Sequence, residues 1–188
     1  MKIGIVSQSY YPRYGGVTEH VHHTAVELRR RGHDVTIITS HFRRAKTPLA
    51  GVERIGHNLL IPFNGAFVDL AVGWRLRWQL QELFRRHRFD LVHTHAPVVP
   101  TLPLMAIQTA PCAQVGTFHT TGNPDRWLEI SCRLLRRDVR RLHSRIAVSN
   151  TARDFAAHFF PGEYHVVPNG VDIERFHPGL EPFPEWRE

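Results

Sequence analysis

The stretch KIGIVSQSYYPRYGGVTEHVHHTAVELRRRGHDVTIIT, residues 2–39, carries the pattern on which the fold reading rests. Residues 2–7 (KIGIVS) make an almost uninterrupted apolar run of strand length, as expected of a strand buried on both faces. A loop rich in Tyr, Pro and Gly follows. Over 17–31, Val17, Val21, Thr24, Ala25 and Leu28 fall at helical spacing, which predicts a helix with one apolar face. Gly32 stands where a helix ends on a residue free to adopt the left-handed conformation, and residues 35–39 (VTIIT) read as the next buried strand.

Working outward, the same alternation continues. Residues 51–63 read as two short strands, 74–87 as a helix, 90–94 as a strand and 98–110 as a helix opened by prolines. Residues 113–118 read as a strand, 125–143 as a long basic helix, 145–148 as a strand, 150–160 as a helix capped by Asn150, and 164–167 as a strand. The expected fold class is α/β: a Rossmann-like, doubly wound, mainly parallel sheet with helices on both faces. The predicted domain is residues 1–172, and 173–188, with Pro178, Pro182 and Pro184, reads as a connector toward a further domain. Such sheets bind ligands outside the carboxyl ends of their strands. That rule directs attention to the segments after Ser7, Thr39, Thr94, Phe118 and Val148.

Composition narrows the class. A chain of 188 residues suffices for one sizeable α/β domain and is too short for two. No run approaches the roughly 18 apolar residues of a membrane span, and no secretory apolar region opens the chain. The expectation is a cytoplasmic protein, soluble or peripheral at the inner face of the plasma membrane. The net charge of +7 points to a polyanionic partner: nucleic acid, an anionic membrane or a phosphorylated substrate. Cys112 and Cys132 share no metal-like spacing and read as reduced thiols packed as small hydrophobes.

The turn between the first strand and helix contains Gly15-Gly16-Val17. Two glycines at a helix N-terminus let backbone N–H groups approach an anion, which the helix dipole also favours. The competing reading is a tight turn that needs positive φ. The G-x-G-x-x-G dinucleotide fingerprint is missing, and Thr39, Ser40 and His41 stand where a ribose-binding acid would close the second strand. Both features argue against an NAD-dependent enzyme. His119 lies at the carboxyl end of the strand 113–118, where an imidazole facing the ligand crevice can donate, accept or transfer a proton; its position alone fits a polar loop histidine as well. His93 and His95, two apart, share a strand face with the spacing of a chelating pair, but no third metal ligand is evident from spacing.

A helical projection of residues 74–88 places Leu76, Leu80, Leu83, Phe84 and His87 on one face at about 100° per residue. Trp74, Trp78, Gln81, Arg85 and Arg88 lie opposite. Tryptophans on an arginine-rich outer face suit a membrane interface. Contact with an anionic membrane is therefore expected through Trp74, Arg77, Trp78, Arg85 and Arg88, helped by the arginines of 133–141.

Six segments together resemble the N-terminal domain of family 4 retaining glycosyltransferases of GT-B fold, the bacterial phosphatidylinositol mannosyltransferases among them. They are Gly15-Gly16-Val17 with His20, Arg31-Gly32-His33-Asp34-Val35, Asp90-Leu91-Val92-His93-Thr94-His95, Thr117-Phe118-His119-Thr120, Ile146-Ala147-Val148-Ser149 and Val167-Pro168-Asn169-Gly170-Val171-Asp172. The resemblance implies one half of a GT-B enzyme, the acceptor side. A separate domain would hold the nucleotide sugar, GDP-mannose or a UDP-sugar, with a lipid-linked or small sugar or polyol acceptor.

The resemblance also implies residue roles. Gly15 and Gly16 would approach the donor diphosphate and His119 the transferred sugar. Tyr10, Tyr11, Arg13, His20, His95, Thr120 and Thr121 would line the acceptor pocket, with Ser149 and Asn169 behind it. It implies no cofactor and leaves Mg open. The family's basic diphosphate ligands and paired glutamates follow the connector, so a chain of this extent is expected to be inactive alone. The alternative expectation is a non-catalytic Rossmann-like module that binds nucleic acid or anionic membrane through basic helices. No nucleic-acid motif supports the first of these.

Overall fold

The computed structural model describes residues 1–42, 49–63, 66–122, 126–174 and 176–179. Its elements run β1 (Lys2–Val6), α1 (Gly16–Arg30), β2 (Asp34–Ser40), β3 (Val52–Ile55), β4 (His57–Phe63), β5 (Ala66–Val72), α2 (Leu76–His87) and β6 (Leu91–His95). Then follow α3 (Leu102–Thr109), β7 (Ala113–Phe118), α4 (Arg126–Val139), β8 (Ser144–Ala147), α5 (Asn150–Phe159) and β9 (His165–Val166). Seven strands pair in parallel in the order β3-β2-β1-β6-β7-β8-β9.

Strand periodicity sorts the core into layers. Ile3 and Ile5 of β1 and Val35 and Ile37 of β2 face α1, against Val21 and Ala25. The alternate residues Val6, Ile38 and Val92 face Leu76, Leu80 and Leu83 of α2 and Leu102 and Ala106 of α3. Farther along, Phe118 packs with Ile107, Cys132, Val139, Ala156 and Phe159 from α3, α4 and α5. Helices cover both faces as expected, but unequally: among the described residues α1 alone covers one face. The handedness of crossovers explains this. The chain leaves β1 toward β2 in one direction, whereas the later crossovers run the other way, and right-handed connections in opposite directions fall on opposite faces. The direction reverses between β1 and β6, so the ligand crevice of a doubly wound sheet lies there.

Several expected elements are shorter than the apolar pattern. The helix expected over 98–110 begins only at Leu102, because Thr101, with φ 84°, lies outside helical geometry. That expected from 74 begins at Leu76. The long basic helix ends at Val139, and residue 125 lies outside the described residues. The chain then turns tightly, with Leu142 N–H donating to the Val139 carbonyl, and seats Leu142 beneath Gly116. A Cβ at Gly116 would stand 2.6 Å from the Leu142 Cδ1, so the strand must be bare there. The cap of α5 is Ser149 rather than Asn150: its hydroxyl accepts from the Ala152 N–H at 3.0 Å.

One element was not anticipated. Residues 66–72 form β5, which pairs antiparallel with β4 in a two-stranded sheet apart from the main one. Of residues 173–188, only 173, 174 and 176–179 are among those described.

Candidate active site at the switch point

Three segments converge at the carboxyl edge of the sheet: the loop after β1, the end of β6 and the end of β7. In β6, Leu91 belongs to the layer facing α1, so His93 and His95 share that face by strand periodicity. The His95 ring, 1% exposed, stacks on His93 with centroids 4.4 Å apart and on His119 at 5.2 Å. His95 Nδ1 lies 2.9 Å from His119 Nε2, and His93 Nε2 lies 2.7 Å from the Thr117 hydroxyl. His20 projects from α1 and meets His95 and His119 edge-on at 5.4 and 5.5 Å. The first turns of α1 and His119 therefore belong to one site.

Burial is the main reason these imidazoles stay neutral. It holds His93 and His119 down to about 4, with smaller contributions from neighbouring imidazoles. Burial pushes His95 well below the ordinary value, aided by His93, His119 and His20, and also lowers His20. The quartet works as a set of hydrogen-bonding rings rather than as a charge. The Nε2 of His95 and the hydroxyl of Thr94 are buried with no hydrogen-bond partner among the described residues.

The glycine pair proves to be neither a strained turn nor a packing necessity. Gly15 has a φ of 165°, extended backbone that any residue adopts. A Cβ at Gly15 or Gly16 would meet nothing within 4 Å. Open space therefore lies before the N-terminus of α1, and Gly15 offers no side chain to cap it.

The loop between β1 and this helix is anchored from below. Asp69 of β5, only 3% exposed, accepts from Arg13 Nε at 2.9 Å, from Ser9 Oγ at 2.8 Å and from Asn58 Nδ2 at 2.9 Å. Asn58 in turn accepts from Ser40 Oγ at 3.2 Å. Tyr11 donates its hydroxyl to Glu19 at 2.7 Å, and burial together with that carboxylate pushes the phenol up to about 12. The Tyr11 carbonyl receives Arg54 Nη2. Sequence reasoning missed Asp69 and Asn58. Their signal is the Asn64-Gly65 pair between the apolar runs 57–63 and 66–72, with Asp69 alone within the second run.

Two of the expected acceptor residues are buried. Tyr10, only 2% exposed, packs into the layer beneath α1 with its hydroxyl 2.9 Å from His22 Nδ1. His95 is 1% exposed, against His119.

A profile of Glycosyltransferase Family 4 matches residues 14–175. The chain belongs to glycosyltransferase family 4. It is 32% identical over 176 residues to a phosphatidyl-myo-inositol mannosyltransferase of Mycolicibacterium smegmatis, covering 94% of this chain and 45% of that protein. It is 31% identical over 193 residues to one of Propionibacterium freudenreichii, covering 100% and 50% respectively. The chain thus spans about half the length of the curated relatives it matches. Among solved structures, a glycosyltransferase from Rickettsia africae superposes with a TM-score of 0.65 at 20% identity, over 96% of this chain and 46% of that one. Anabaena HepE in complex with UDP-glucose gives 0.65 at 18% identity, over 93% and 45%. The fold is that of one half of a GT-B glycosyltransferase.

Within this family 4 domain, Thr120 and Thr121 follow His119 and are exposed. Ser149 follows β8 with its hydroxyl engaged as the helix cap, and Asn169 is exposed beyond β9. On α2, Leu76, Leu80, Leu83 and Phe84 are buried as projected, whereas His87 is half-buried beside Glu53; Trp74, just before the helix, and Trp78 are 93% and 60% exposed. The Arg75 guanidinium lies 4.9 and 5.7 Å from their rings. Arg77 donates to Gln108 at 3.0 Å, Arg85 pairs with Glu82 at 2.7 Å, and Arg88 caps the helix in the left-handed conformation. These residues lie across the sheet from α1. Among the described residues, no helix is long and apolar enough to cross a membrane, and no group of three or more His, Cys, Asp or Glu could hold a metal.

Proposed function

We propose that the chain is the acceptor-side half of a retaining glycosyltransferase. It moves a hexose from a nucleotide sugar, GDP-mannose or a UDP-sugar, to a lipid-linked or small sugar or polyol acceptor, and is inactive without a nucleotide-binding half. The observation that carries the reading is His20. By touching both His95 and His119 from α1, it joins the open helix N-terminus and the exposed end of β7 in one crevice at the switch point. The mannosyltransferase relatives and the UDP-glucose complex of HepE agree with it.

In this reading the Gly15 and Gly16 amides meet the donor diphosphate, where the helix dipole offsets charge growing on the leaving group. His119 contacts the transferred sugar. Tyr11, Arg13, His20, Thr120 and Thr121 border the acceptor. An imidazole held near 4 is a poor proton acceptor at neutral pH. The family resemblance implies instead that the departing diphosphate oxygen takes the acceptor proton.

Calorimetric titration of the chain with GDP-mannose, UDP-glucose and NAD tests this division of labour. Weak or absent binding of all three is expected. Tight sugar-nucleotide binding would mean that the donor site is complete in this chain, and tight NAD binding would overturn the reading.

Membrane contact rests on a separate observation, two largely exposed tryptophans bracketing Arg75. An arginine-rich helix face with exposed indoles suits an anionic bilayer surface. Reversing the charges of Arg77, Arg85 and Arg88 is expected to abolish binding to phosphatidylserine vesicles; unchanged binding would remove α2 from this role. The other reading, a non-catalytic module for nucleic acid, finds no support in the family match.

A further inference from the structure

We propose that His95 is a positioning residue for His119: its Nδ1–H donates to His119 Nε2, which locks His119 in the Nδ1–H tautomer and turns one neutral hydrogen-bond donor toward the ligand. What that ligand is rests on the glycosyltransferase reading; the tautomer does not.

The contact is 2.9 Å between two ring nitrogens, so one proton lies between them. Burial keeps both rings neutral, which leaves two arrangements. If His119 donated, His95 would carry its own proton on Nε2. Among the described residues that atom is buried with no partner, so an N–H would be stranded. If His95 donates, Nε2 is a bare lone pair instead. Among backbone groups a buried N–H is left orphaned more rarely than an acceptor, and the same preference applied to the imidazole puts the proton on His95 Nδ1. His119 Nε2 is then fully engaged, and Nδ1–H is the donor left for a ligand.

The surroundings fix the geometry. His93 of β6 stacks on His95 and is itself held by Thr117 of β7. His20 of α1 abuts both rings of the pair. No charged side chain faces the pair from these three elements in the contacts seen. A neutral donor held in place before the ligand arrives needs no reorganisation to meet a sugar oxygen.

Long-range 1H–15N spectra of the chain labelled with 15N-histidine at pH 7.5 test this, with His119 assigned by the signal lost in His119→Gln. The wild-type chain is expected to show His119 protonated on Nδ1. His95→Phe keeps the ring and removes both nitrogens, and is expected to shift His119 to the Nε2–H form. His95→Asn places an amide nitrogen near the lost Nδ1, and is expected to restore the wild-type pattern. Finding His119 protonated on Nε2 in the wild-type chain would overturn the proposal, as would an unchanged tautomer in His95→Phe. Should His95→Phe fail to fold, the wild-type and His95→Asn spectra still decide. Adding GDP-mannose or UDP-glucose together with the nucleotide-binding half separates the two claims. A His119 resonance that does not respond counts against its sugar contact and leaves the tautomer assignment standing.

Discussion

Asp69 Oδ2 lies 2.9 Å from Arg13 Nε, so a carboxylate buried in the β4–β5 hairpin holds the loop that leads into α1. The guanidinium is about one-third exposed and the carboxylate almost wholly buried. Two neutral donors, Ser9 and Asn58, share the carboxylate. The hairpin, which adds no strand to the main sheet, earns its place by fixing this loop.

The asymmetry of that pair predicts unequal costs. Asp69→Ala removes the buried acceptor shared by Ser9, Arg13 and Asn58 and is expected to lower stability by about 3 kcal/mol. Arg13→Ala leaves the carboxylate two of its three donors and is expected to cost about 1 kcal/mol, since its exposed part is screened by solvent. Urea unfolding of both variants checks the order. Equal costs would mean that Asp69 does not organise the loop.

The histidine quartet makes stability depend on pH. His93 and His119 titrate near 4 in the folded chain because they are buried, against 6.5 for a free imidazole. The unfolded chain therefore binds more protons between pH 6.5 and 4. Stability is full above 6.5 and falls as the pH drops toward 4, by at most about 1.4 kcal/mol per pH unit for each histidine. Unfolding curves at pH 7.5, 6 and 5 are expected to show this decline, and His119→Gln to make it shallower. A decline of the same slope in His119→Gln would take His119 out of the titration.

Ser149 carries a third prediction. Its hydroxyl accepts from the Ala152 N–H, so Ser149→Ala is expected to destabilise the chain by about 1 kcal/mol through loss of the α5 cap. Asn150→Ala, one residue into the helix, is expected to change stability by less than half of that. Thermal unfolding of both variants distinguishes the cap from its neighbour.

The sheet and its crevice were legible because buried parallel strands are short apolar runs and α1 and α2 show one-sided apolar spacing. The places of Gly15 and Gly16 at the start of α1 and of His119 just after β7 were legible from the same pattern; their roles come only from the family resemblance. The burial of Tyr10 and His95 was not, because a polar-tipped ring at a strand end reads alike whether it faces solvent or a neighbouring ring. Asp69 was hidden because its partners come from segments far apart in sequence. Ser149 and Asn150 are both good caps, and only the backbone conformation tells which one the helix uses.

The central claim is that the open end of α1 receives the donor diphosphate, and Gly16→Val tests it most directly. Among the described residues, nothing beyond its chain neighbours and the backbone of α1 lies within 4 Å of a Cβ at Gly16, so the substitution is expected to leave the unfolding midpoint unchanged or slightly raised. Hexose transfer from the nucleotide sugar, measured with the nucleotide-binding half present, is expected to fall about a hundredfold as the side chain fills the diphosphate position. A fully folded Gly16→Val protein that transfers sugar at the wild-type rate would contradict the account.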